Sequence, residues 1–124
     1  MTILKLALAQ INTKLGDVDA NLEKHLDLIG RAREQDAGLI LFPELSLTGY
    51  TLQDLTPSVA HSPTKDDPIF RPLLEASQEI DIVVGFVDED NRHRFYIADA
   101  YLSEGEVLHV HHKVYLPTYG LFDE

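Results

Sequence analysis

Apolar and polar residues follow two different periods along this chain, and each change of period marks a structural element. Ile3 to Ile11 carries Leu4, Leu6 and Leu8 on one face and Ile3, Ala7, Ala9 and Ile11 on the other. Apolar residues on both faces predict a buried strand. The spacing then lengthens to that of a helix. Leu22, Leu26, Ile29 and Ala32 form its inner stripe, while Lys24, Arg31 and Glu34 face water. Asp17 and Asp19 stand where a carboxylate caps a first turn, and Gly38 stands where a helix would stop. Leu39-Ile40-Leu41-Phe42 is wholly apolar, as a central parallel strand would be. Pro43 ends it, because proline has no N–H to give a sheet ladder.

Residues 44 to 67 contain Gly49, Pro57, Pro63 and several hydroxyls, which predicts loop with one short helical turn. Pro68 to Glu79 can form a second helix around Phe70, Leu73, Leu74 and Ala76. Three strands follow, at Ile80 to Val87, Phe95 to Leu102 and Val107 to Val114. The links Asp88 to His93 and Ser103-Glu104-Gly105-Glu106 have hairpin chemistry, so these strands should be antiparallel. The pattern as a whole predicts an α/β (α+β) fold. Its last residues, up to Glu124, form a Pro- and Gly-punctuated stretch with no closing element, so residues 1–124 read as an interrupted fold.

Composition narrows the function classes. Apolar residues make up 44% and charged residues 25%, enough for a real core and against general disorder. Ten basic residues against 21 acidic ones leave a net charge of −11, which disfavours nucleic acid and anionic membranes as partners. Asp88-Glu89-Asp90 reads as a solvated turn. No apolar run approaches the roughly 20 residues that span a bilayer. The start lacks a signal-peptide pattern, so a cytoplasmic location is expected. There is no cysteine, which removes disulfides, Cys-ligated zinc and thiol chemistry from these 124 residues.

Two residues stand where strands give way to loops. Glu44 follows the predicted central strand, at the carboxyl end where open α/β sheets bind ligands. A partly desolvated carboxylate there could move protons. On position alone, a turn-capping or solvated glutamate is the commoner outcome. Lys113 closes the last strand, where an ammonium could stabilise an oxyanion. On position alone, a lysine covering apolar surface with its stem is commoner still.

The surrounding strings change that balance. Leu41-Phe42-Pro43-Glu44-Leu45-Ser46-Leu47-Thr48-Gly49-Tyr50 resembles the nitrilase-superfamily segment around the catalytic glutamate. His109-Val110-His111-His112-Lys113-Val114-Tyr115-Leu116-Pro117 resembles the segment around its catalytic lysine. Leu6-Ala7-Leu8-Ala9-Gln10, Gly16-Asp17-Val18 and Asn21-Leu22 are similar to the family's first strand and helix. The likeness therefore runs through nearly the whole chain in the family's order. It implies the N-terminal part of a four-layer α-β-β-α sandwich and a Glu–Lys–Cys hydrolase of amides or nitriles, with no cofactor. Glu44 would be the acid–base and Lys113 the oxyanion stabiliser. The family's cysteine lies some tens of residues after the lysine, so residues 1–124 alone should lack covalent hydrolase activity.

Leu47 to Leu55 and Lys113 to Glu124 are closest in wording to the glutaminase domains of glutamine-dependent NAD synthetases, and related amidases share much of it. By that likeness Tyr50 and Tyr119 would line the substrate pocket, with aromatic packing beside the core as the equal alternative. Glu124 would be a supporting second glutamate. His109, His111 and His112 could in principle bind zinc or nickel if they converged, but adjacent strand residues diverge. The family often has arginine where His112 stands, which leaves that arginine's role open. The resemblance further implies a homo-oligomer, or a second chain completing the fold, around a small amide or nitrile substrate. The rival from another class is a catalytically dead binding or oligomerisation module, favoured by the missing cysteine.

Overall fold

The computed structural model describes residues 4–14, 17–48, 63–92 and 94–116. They form β1 (Leu6–Leu8), α1 (Val18–Glu34), β2 (Leu39–Leu41), α2 (Phe70–Ala76), β3 (Asp81–Glu89), β4 (Phe95–Ser103) and β5 (Glu106–Leu116). The five strands make one mixed sheet in sequence order. β1, β2 and β3 run parallel, and β3, β4 and β5 run antiparallel. The class is α/β, as the sequence predicts, and the central parallel strand and both hairpins are where they are expected.

Alternation decides which side of the sheet is covered. Ile40, Ile82, Val84, Phe86, Ala100 and Leu102 are all buried, and α1 and α2 contribute Ile29, Ala32, Phe70, Leu73 and Leu74 to the same core. Phe70 meets Phe86 edge-on, with ring centroids 4.9 Å apart at 75°. Such a pair adds about 0.5–1.5 kcal/mol beyond its burial. Tight turns close the frame. Glu104 (φ 53°) and Gly105 (φ 79°) both take the left-handed backbone of a two-residue hairpin. The Gly105 and Glu104 N–H groups donate to Ser77 Oγ and Ser77 O at 3.0 and 2.9 Å, tying this turn to the end of α2.

Four expectations are corrected. The first strand is short and lies at the sheet edge, with Leu4, Leu6 and Leu8 exposed; apolar residues on two faces do not distinguish an edge from a centre. The α1 helix ends at Glu34, four residues before Gly38, and the left-handed residue that follows it is Asp36 rather than that glycine. Asp36 takes φ 62°, and the Ala37 and Asp36 N–H groups return to Ala32 O and Arg33 O. The deepest stripe of α1 is Val18, Asn21, His25, Ile29 and Ala32, with Leu22 and Leu26 only partly buried. Asp88 and Glu89 belong to β3 rather than to a solvated turn. Asp88 is buried and pairs with His112 Nε2 at 2.6 Å.

Candidate active site

Glu44 sits on a short bump in the chain just past β2. Phe42 N donates to Val83 O at 3.0 Å and Leu47 N to Gly85 O at 3.1 Å, so the chain leaves β3 and rejoins it across Pro43 to Ser46. Ser46 N closes the turn on Pro43 O at 3.1 Å. Leu45 takes φ 53°, an uncommon conformation for leucine that costs about 1–3 kcal/mol unless its surroundings enforce it. Gly85 makes the approach possible. A Cβ there would lie 2.5 Å from Leu45 N and 2.8 Å from Pro43 O, both backbone atoms.

Polar side chains from α1 brace the bump from behind. Asn21 Nδ2 donates to Leu47 O at 2.9 Å and to Lys14 O at 2.8 Å, while its Oδ1 accepts from Lys14 N at 2.6 Å. His25 is 0% exposed, with Nδ1 2.6 Å from Asn21 O and Nε2 2.8 Å from Ser46 Oγ. Its ring stacks on Phe42 at 4.2 Å. Burial pushes the imidazole down to about 4, against the raising effect of the Asn21 carbonyl, so it is neutral at pH 7. Among the described residues no buried side-chain nitrogen or oxygen lacks a hydrogen-bond partner.

Lys113 reaches the same place from β5. Ile97 pairs with Val114 and Ala98 with His112, so Lys113 is the extra residue of a β-bulge. Bulges re-aim side chains. Gly85, Asp99 and His111 form one row across β3, β4 and β5, which puts Asp99 beside the strand position that the bump crosses. Lys113 Nζ lies 3.4 Å from Glu44 Oε2 and 3.6 Å from Asp99 Oδ2. The three side chains are 35%, 32% and 28% exposed, a half-open cluster. Asp99 is the largest influence raising the Lys113 ammonium above the usual lysine range; Glu44 adds to it, and partial desolvation opposes it. Ion pairs this exposed contribute on the order of 0–1 kcal/mol to stability. Folding energy alone does not account for gathering them.

Glu44 and Lys113, which the sequence singled out, are thus brought together across 69 positions of chain. Tyr50, Tyr119 and Glu124 lie outside the described residues. The three histidines do not converge: the rings of His109 and His111 are 6.3 Å apart, whereas His112 stacks on Tyr96 at 4.1 Å and pairs with Asp88. Sequence reasoning missed Asp99, Asn21 and His25. An aspartate within the otherwise apolar stretch Ile97 to Leu102 was a signal for the first. The spacing 18, 21, 25, 29, 32 was a signal for the other two, had polar residues been allowed on an inner face.

Comparison with known proteins adds a family to this geometry. Residues 5–123 match the carbon–nitrogen hydrolase family model. A glutamine-dependent NAD(+) synthetase of Acinetobacter baylyi is 36% identical over 126 aligned positions, covering 100% of this chain and 23% of that protein. The Thermotoga maritima protein of the same name is 34% identical, covering 100% and 21%. The chain therefore spans about a quarter or less of the length of these curated relatives. Among solved structures, a glutamine-dependent NAD+ synthetase from Acinetobacter baumannii, in complex with ADP, superposes with TM-score 0.75 at 34% identity over 99% of this chain and 23% of its own. An amidase from Nesterenkonia sp. superposes with TM-score 0.76 at 25% identity, covering 93% and 45%. A family match over nearly every residue joins a fold shared with an amidase, and on both grounds the chain belongs to the carbon–nitrogen hydrolases.

Proposed function

We propose that residues 1–124 carry the glutamate and lysine of an amide-hydrolysing site, with glutamine as the favoured substrate and the cysteine supplied from outside them. The observation that carries this reading is the 3.4 Å approach of Lys113 Nζ to Glu44 Oε2. In the reaction, Glu44 takes the thiol proton as sulfur attacks the amide carbon. A free thiol, with pKa ~8.5, needs such a base at neutral pH. The oxygen of the tetrahedral adduct gains negative charge, which the Lys113 ammonium stabilises. Protonated Glu44 then gives its proton to the amide nitrogen, the C–N bond breaks and ammonia leaves. Glu44 next takes a proton from water as it attacks the thioester carbon, and the C–S bond breaks. That proton returns to the sulfur, which restores the starting site.

Asp99 has a part in this reading. It raises the Lys113 ammonium further above the usual lysine range and gives it a resting partner when no substrate is bound. Glutamine rather than a nitrile is favoured because the likeness is to glutamine-dependent enzymes. The second reading, a binding or oligomerisation module without turnover, is favoured by the absence of cysteine from these residues. Ammonia release from glutamine by the longest reading frame containing this chain separates the two. Expected are turnover, a loss of about 10²–10⁴ in rate for Glu44→Gln, and a loss of about 10²–10³ for Lys113→Ala. Glutamine binding without ammonia release would favour the module.

A further inference from the structure

We propose that His25 is a positioning residue for Glu44, acting through the Ser46 hydroxyl; this rests on the reading of Glu44 as the acid–base. The direction of each hydrogen bond follows from the partners. Asn21 O can only accept, so His25 Nδ1 carries the proton and Nε2 is the acceptor. Gly85 N–H can only donate, at 3.3 Å to Ser46 Oγ, so the Ser46 hydroxyl hydrogen is free to point at His25 Nε2 at 2.8 Å. A single relay therefore runs from β3 through Ser46 to α1.

The relay grips the chain on both sides of Glu44. Phe42 is held by the stacked imidazole and Ser46 by its ring nitrogen. Between them Leu45 holds a left-handed backbone that needs outside restraint. A leucine or isoleucine at position 25 would suit the core of α1 better, because burying an imidazole has a desolvation cost. What an aliphatic residue could not do is accept the Ser46 hydrogen bond. Protonated imidazole could not accept it either, since both ring nitrogens would then be donors. The Glu44 carboxylate itself is 32% exposed and among the described residues pairs with the Lys113 ammonium, so the backbone that carries it governs where it stands.

The test is steady-state glutamine hydrolysis by the full hydrolase containing this chain, with His25→Phe and Ser46→Ala made singly, together and in a Glu44→Gln background. Phe keeps a ring against Phe42 and removes the acceptor. Ser46→Ala removes one hydroxyl and is the variant to read if His25→Phe does not fold. Expected is a loss of tenfold or more in kcat with KM within about twofold, a double variant no worse than the more damaged single, and no further loss in the Glu44→Gln background. Unchanged kcat in folded Ser46→Ala overturns the proposal. So do additive losses, or a further loss when Glu44 is already absent, because His25 would then act elsewhere. Full-rate hydrolysis by Glu44→Gln alone would instead overturn the reading of Glu44, and the proposal with it.

Discussion

The two halves of the candidate site are held in different ways. Glu44 stands on a turn fixed by buried, uncharged contacts: Gly85 beneath it, Asn21 and His25 behind it, and Leu45 and Leu47 buried within it. Lys113 stands on the outermost strand, at a bulge, with exposed His109 and His111 nearby in sequence and two carboxylates as its partners. Packing therefore sets the position of the glutamate, and charge sets that of the lysine. Packing is insensitive to salt but intolerant of volume; charge is tolerant of shape and screened within about 10 Å at 0.1 M salt.

The largest effect should come from Gly85→Ala. Its new methyl would meet two backbone atoms of the Glu44 turn, neither of which can rotate away. Overpacking costs typically about 1–3 kcal/mol, and the upper end is expected here. Chemical denaturation should register that loss, while Ala98→Gly on the neighbouring strand should leave the Glu44 turn in place. If Gly85→Ala matches the parent in stability, the bump does not cross β3 as described.

Acid should loosen the glutamate side next. The His25 pKa falls from 6.5 in the open chain to about 4 in the fold, so the folded protein binds fewer protons between those values. Stability from this group is therefore fully present above about pH 6.5 and is lost as pH falls toward 4. One unit corresponds to about 1.4 kcal/mol, so the loss is on the order of 3 kcal/mol. Denaturation of His25→Phe across the same window should lack that component of the slope. An identical slope in both proteins would show that His25 titrates freely.

The outline of this fold was legible because its strands announce themselves. β3, β4 and β5 begin and end within two residues of their predicted bounds, since alternation and hairpin turns set both edges. Glu44 and Lys113 were legible through their neighbours in sequence rather than through any spacing between them. The support of the site was not. Asn21 and His25 fall outside the predicted inner stripe because polarity usually means solvent, and Asp99 carries no local pattern that points to a lysine 14 positions later. Their meaning lies in contacts made across the sheet and the helix, which periodicity does not contain.

The smallest effect is also the most direct test that one cluster holds both halves. Carbon-13 NMR of Lys113 Cε follows the ammonium titration in the parent, in Asp99→Asn and in Asp99→Asn/Glu44→Gln. The Lys113 midpoint should start above the ordinary lysine value, fall on removal of Asp99 and fall again on removal of Glu44. A midpoint that does not move when both carboxylates are neutralised would mean that Lys113 and Glu44 do not meet.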